Sequence, residues 1–265
     1  MSSDATVPSF WLSLPEGFTG IDLAEDPGER MGRVLDGLDV LTSADPEQKL
    51  GIAVAAETAL QAQLREGAVH VSSCLVQAED GSVVQGMLTF FVRSEALDPP
   101  GTYPQRAAEQ LARAWPDADV AVIDFPLGRA VVTVRDLAVP VPGAAYGLPG
   151  SGVTTVRQLE VLLAHPWSPH VLAAVFTTEH LDHWEGWLTL VGTAINGISF
   201  YPPRNEAPDD TVRMDPAGRV APELPGEADS PAMLLAFLGL NAVIDGLVLW
   251  SVQRPRPPRR RETLG

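Results

Sequence analysis

Cysteine and lysine are almost absent from this chain. Its single cysteine, Cys74, excludes any disulfide within the chain and any zinc site built from paired cysteines. Lys49 is the one lysine, so arginine carries nearly all of the positive charge. Positive charge is itself scarce: 18 Lys and Arg stand against 34 Asp and Glu, a net charge of −16. A body that acidic disfavours nucleic acid as a partner. Familiar catalytic patterns are missing too. The sequence holds no Gly-x-Ser-x-Gly and no His-Glu-x-x-His. Its one glycine-rich stretch, Gly147-Leu-Pro-Gly150-Ser151-Gly152, ends without the lysine that a phosphate loop needs. The N-terminal Met-Ser-Ser-Asp-Ala-Thr-Val-Pro has neither a basic n-region nor an apolar h-region. That reads as a cytoplasmic protein, with the inner face of the cell membrane as the other position to consider. High alanine, arginine in place of lysine and 24 prolines point to a GC-rich bacterial genome, actinobacterial in style.

What the chain does have is one long apolar run. Pro231 to Val252 is interrupted only by Asn241 and Asp245, and Arg254, Arg256, Arg259, Arg260 and Arg261 follow it. As a helix the run is roughly 30 Å long, the thickness of a bilayer core. Its Leu, Val, Ile and Phe favour insertion by roughly 3–7 kcal/mol, and Asp245 alone opposes it by about 2.5–3.5. Lone insertion is therefore close to neutral. The arginines behind the run and the carboxylates Glu223, Glu227 and Asp229 before it make either membrane orientation awkward. Asn241, Ala242, Asp245 and Gly246 share one helix face, a pattern suited to close helix–helix contact in lipid or in protein. Three kinds of cover satisfy the run: a bilayer, a protein surface (its own domain or another subunit), or a lipid interface gripped by the arginines. The expected contact residues are Leu234, Leu238, Asn241, Ala242, Asp245, Gly246 and Leu249, with Arg259, Arg260 and Arg261 behind them.

The chain divides by composition into a body at 1–203, an acidic Pro-rich linker at 204–230, the apolar helix at 231–252 and a basic tail at 253–265. In the body, Phe10 to Leu14 alternates and stops at Pro15-Glu-Gly, an edge strand. Asp26-Pro27-Gly28-Glu29 and Asp45-Pro46-Glu47-Gln48 each carry the capping signals of a helix start, so two antiparallel helices follow. Strands at 68–78 and 82–93 flank Asp80-Gly81, a strong hairpin signal. Pro104 to Ala114 forms a helix with Ala107, Ala108, Leu111 and Ala112 inward. Two further strand pairs lie at 120–125 with 129–139 and at 153–164 with 170–178, separated by a loop at 140–152. Trp184, Trp187, Leu188, Val191, Ile195 and Ile198 mark the buried stripe of a last helix. Seven or so strands, mostly in hairpins, with helices before, between and after them, give an α+β domain: one antiparallel sheet flanked by helices.

Phe10-Trp11-Leu12-Ser13-Leu14-Pro15-Glu16-Gly17-Phe18 resembles the first strand of Mog1/PsbP-like domains, a group that includes actinobacterial lipoproteins. Val171 to Thr177, followed by Trp184 to Ile198 and Ser199-Phe200, is similar to their last strand and terminal helix. The two consecutive helices at 26–66 depart from that pattern. The resemblance implies a binding or assembly factor and transfers no catalytic residue.

One cluster invites metal chemistry. His180 and His183 stand three apart in Glu179-His180-Leu181-Asp182-His183-Trp184-Glu185, with His165 and His170 across the preceding turn. The plainer reading makes Asp182 a helix N-cap with Glu185 as its capping-box partner. Cys74 reads as a buried structural thiol, and Trp184 and Trp187 as core anchors. The sequence thus points to a non-enzymatic binding or assembly factor without a cofactor, docking on a membrane or a protein, or on a second copy, through 231–252. The alternatives are a metal-assisted hydrolase using His180 and His183, and a structural subunit whose C-terminal helix completes its own core.

Overall fold

Turn chemistry sets the boundaries of the elements in this computed structural model, which describes residues 8–41, 45–78, 81–95, 97, 100–141, 152–202 and 211–214. Asp26 Oδ1 accepts from the Gly28 amide at 2.7 Å and so opens α1, Pro27–Leu41. Asp45 Oδ1 does the same for the Gln48 amide at 2.8 Å and opens α2, Pro46–Arg65. α2 stops at Gly67, whose φ of +90° suits glycine and whose missing Cβ leaves room for the Val92 carbonyl. Strands β1, Phe10–Ser13, and β2, Phe18–Gly20, precede the two helices. The hairpin β3, Ala68–Gln77, and β4, Val83–Ser94, follows them. Helix α3, Tyr103–Ala114, leads to the hairpin of β5, Asp119–Phe125, and β6, Gly128–Val141. A third hairpin, β7, Gly152–Ala164, and β8, His170–Thr178, runs into α4, Trp184–Asn196. Two short strands, β9, Ile198–Ser199, and β10, Thr211–Met214, complete the set.

Seven strands form one antiparallel sheet in the order β2-β3-β4-β8-β7-β6-β5. The molecule is an α+β protein with helices on both faces of that sheet, as the hairpin pattern implied. β8 lies at its centre, and all nine of its residues are buried. A strand covered on both sides must have a core above it and another below. On one face, Val71, Phe91, Ala173, Val175, Leu162 and Val131 pack against Leu38 of α1, Leu60 of α2 and Ala107 of α3. On the other, Leu88, Phe90, Leu172, Ala174 and Phe176 meet Trp187, Val191 and Ile195 of α4 together with Phe10 and Leu12 of β1. Gly86 makes the second core possible: a Cβ there would lie 2.4 Å from the Phe176 ring, which leans over it toward Trp187 at 5.0 Å.

A buried ion pair fastens α1 to α2. Arg30 donates to both carboxylate oxygens of Glu57, at 2.8 and 2.9 Å, and to the carbonyls of Asp22 and Glu25. Gln61 adds a third donor to Glu57 at 2.7 Å. Burial works to raise the Glu57 carboxyl, but the hydrogen bonds from Arg30 and Gln61 outweigh it and hold it below the usual carboxylate range. With its charges and most lone pairs matched, such a pair is close to neutral for stability, whereas removing one partner costs about 3–5 kcal/mol.

Several details differ from the sequence reading. β1 is the middle strand of a second sheet, β10-β1-β9, and not an edge. Part of the stretch read as linker, Thr211–Met214, is the strand beside it; the rest of 204–230 and all of 231–265 lie outside the described residues. The loop expected at 140–152 is shorter, because Val141 pairs with Gly152. Ile198 has left the helix for β9, Leu188 is 42% exposed and Ala112 is exposed. Packing against β1 overrode the helical period at Ile198, since Leu12 pairs with it.

His70, on β3, is buried beside Phe90 and has its pKa pushed down from 6.5 to about 4 by that burial. The folded protein therefore keeps His70 neutral between these values while the unfolded chain takes up a proton. Stability is fully present above pH 6.5 and falls as pH drops toward 4, by about 1.4 kcal/mol per unit from this group. Urea unfolding at pH 6.5 and pH 5 checks this: His70→Leu should lose about 2 kcal/mol less than the parent over that interval.

Candidate functional site

The turn after β8 places the proposed metal ligands. Thr178 Oγ1 donates to the Gln85 carbonyl at 2.7 Å and accepts from the His180 amide at 3.1 Å. A short 3-10 turn, Leu181–His183, then leads into α4. That turn shifts the helix start by one residue, so His183 occupies the N-cap position expected for Asp182, and its side chain makes no capping bond. His183 Nε2 lies 3.5 Å from Ser82 Oγ. His165 and His170 are at the opposite end of β8, roughly 25 Å away at the rise of a strand. The four histidines are therefore not brought together. Among the described residues no group of three His, Cys, Asp or Glu side chains is arranged to hold a metal ion. Leu234, Leu238, Asn241, Ala242, Asp245, Gly246, Leu249, Arg259, Arg260 and Arg261 lie outside the described residues.

Cys74 is fully buried, and burial pushes its thiol up to about 12, which keeps it inert. Trp187 is a core anchor, whereas Trp184 is half-buried with the Arg157 guanidinium 5.3 Å above its ring. At the β7–β8 turn His165 is edge-on to both Trp167 and Phe200. Burial, and secondarily the neighbouring His170, lower its pKa.

A different feature emerges on the face of the sheet that carries α1, α2 and α3. One cross-strand row there is apolar throughout: Val122, Val131, Leu162, Ala173 and Phe91. The next row reads Thr133, Glu160, Val175, Thr89, and the row beyond it Arg135, Gln158, Thr177, Met87, Ser73. Thr133, Glu160, Thr89, Gln158, Thr177 and Ser73 are each no more than 4% exposed. These rows form a polar band buried under helices, where an ordinary core would place valine and leucine. A buried polar group left unpaired costs about 1–3 kcal/mol, so the band must find partners.

Some of those partners are visible. Gln63 of α2 reaches down to accept from Thr89 Oγ1 at 3.2 Å, its amide nitrogen 4.0 Å from the Met87 sulfur. Arg135 donates to Gln158 Oε1 at 3.4 Å, and its guanidinium lies 3.9 Å over the Trp115 ring at the end of α3. Arg93 approaches the Glu160 carboxylate at 3.7 Å and covers Phe91 at 5.0 Å. The band thus runs from α2 to α3 with an acid–base pair at its middle. It offers one carboxylate, two guanidinium groups, two amides and several hydroxyls. Cys74 and all five histidines lie elsewhere.

Sequence reasoning missed this band for an identifiable reason. Gln158 and Glu160 alternate with Leu159 and Val161, and a period of two assigns them to the wet face of a one-sided sheet. Only strand pairing lines them up with Thr133, Thr177 and Thr89, and only α2 and α3 make that face an interior.

The fold and the band together define an α+β protein with a two-faced antiparallel sheet and a polar floor beneath its helices. Comparison with protein-family models, curated proteins and solved structures gives no significant match.

Thr133 Oγ1 is buried and has no hydrogen-bond partner among the described residues. Thr133→Val keeps the shape and removes the stranded hydroxyl, so it should raise the unfolding free energy by about 1 kcal/mol. Denaturant titration checks this, and a loss of similar size would show that the hydroxyl is engaged.

Proposed function

We propose that this protein is a non-enzymatic binding or assembly factor. The observation that carries the reading is the apolar run 231–252, broken by Asn241 and Asp245 and followed by five arginines. The polar band around Glu160 and Arg93 lies beneath the helices, where Gln63 of α2 and Arg135 under Trp115 key those helices to the sheet. The run 231–252 docks on a membrane or a protein partner. Leu234, Leu238 and Leu249 would supply its apolar surface, Asn241, Ala242, Asp245 and Gly246 its close-approach face, and the arginines its grip on acidic surroundings. Its distribution of charge suits this arrangement: residues 231–265 carry +3 and the remainder −19. Among the described residues no helix is long and apolar enough to cross a membrane. The layout shared with Mog1/PsbP-like domains, resemblance though it is, favours the same class of role.

Truncation tests the docking element, and the position of β10 sets where to cut. Ending the chain at Pro203 would strip β1 of its neighbour Thr211–Met214, so the informative product is 1–230. The full chain should float with liposomes containing anionic lipid, or sediment as a larger assembly than 1–230 does under the same conditions. Identical flotation and sedimentation of the two chains would remove 231–265 from the proposal.

A further inference from the structure

The seven-stranded sheet ends in two outer strands, and they are not alike. β2 has three residues. β5 has seven, Asp119–Phe125, joined to β6 by an unbroken register from Asp119 opposite Val134 to Phe125 opposite Gly128. Its outer side has no neighbouring strand among the described residues. Asp119, Ala121, Val122, Ile123 and Asp124 are all exposed, Val122 by 37% on one face and Ile123 by 42% on the other. Open edges are normally blunted by lysine, proline, a bulge or very short length. β5 has no lysine, proline or bulge; its two carboxylates, Asp119 and Asp124, flank a Val120-Ala-Val-Ile123 run of high strand propensity.

We propose that β5 pairs antiparallel with β5 of a second copy of this chain, extending the sheet across a twofold axis. The charge pattern selects both occupant and register. With the axis through Val122, Val122 faces Val122 of the other copy, Ala121 faces Ile123, Val120 faces Asp124 and Asp119 faces Phe125. The branched apolar residues meet at the centre, and no two carboxylates stand directly opposite each other. A one-residue slip in one direction would set Asp119 against Asp124, two like charges, and a slip in either direction would turn the faces of the two sheets in opposite directions. Asp124 is moreover already neutralised locally by Arg129 at 3.2 Å. The strand is complementary to itself without needing a basic or acidic partner. Because each copy carries a net charge of −16, the two repel at a distance, and added salt should strengthen the pairing.

The test uses the full chain. Val122→Cys places a thiol directly opposite its counterpart, whereas Asp124→Cys places the two thiols four residues out of register; Cys74 is buried and takes no part. Under mild oxidation Val122→Cys should form disulfide-linked dimers at least tenfold faster than Asp124→Cys. In sedimentation equilibrium, Val122→Lys should weaken self-association at least tenfold with an unchanged thermal unfolding profile, and the parent should associate more tightly at 0.5 M than at 0.05 M salt. Equal crosslinking at the two cysteine positions, or a Val122→Lys variant that associates like the parent, would overturn the proposal. The crosslinking comparison is specific to residues 119–125, so association through 231–265 cannot mimic it.

Discussion

Everything in this fold follows from the burial of β8 on both sides. Its nine residues, His170–Thr178, all lie in the interior, with β4 and β7 as neighbours. A single antiparallel sheet can leave one face wet, but a sheet with such a strand at its centre cannot. Helices α1, α2 and α3 therefore cover one face, while α4 and the β10-β1-β9 sheet cover the other. The bidentate Arg30–Glu57 pair holds the first two helices in register over their face. Gly86 gives Phe176 the space to reach Trp187 on the other. Remove either cover and β8 would meet water through its alternating Leu172, Ala174 and Phe176 or its Val171, Ala173 and Val175.

The two covered faces are not chemically equivalent. Beneath α4 the packing is aromatic and aliphatic, with His70 held neutral by burial. Beneath α2 and α3 the sheet turns polar, and Glu160 and Arg93 sit where a stable core needs neither. Inside the fold these groups trade some packing for specific pairing, which ties α2 and α3 to one position over the sheet. At one margin of the sheet, β5 presents an edge without a neighbouring strand among the described residues, beside a branched apolar run. The proposed association rests on that edge and on the run 231–252, and not on the buried polar floor.

Much of the layout was legible because local chemistry and global fold agree. Asp26-Pro27 and Asp45-Pro46 do start helices, and Asp80-Gly81 does sit between paired strands. Trp187, Val191 and Ile195 are buried at the expected spacing. What escaped was whatever depends on non-local pairing. β1 was readable as a strand, but its two neighbours arrive from residues near 198 and 211. The polar band was spelled out in Thr133, Gln158, Glu160 and Thr89, yet alternation gives no hint that the face bearing them is roofed by helices. Asp182 does not cap α4 because a 3-10 turn intervenes and puts His183 at the N-cap position, where its side chain makes no capping bond.

A sheet covered on both faces and, among the described residues, open along β5 is what the proposed pairing requires. Amide hydrogen exchange on the full chain, read at low and high protein concentration, tests it most directly. The account predicts that β8 amides are among the slowest at both concentrations, while the outward amides of β5 exchange rapidly in dilute solution and slow when the protein is concentrated. β8 amides exchanging as fast as those of the turns, or β5 amides indifferent to concentration, would contradict it.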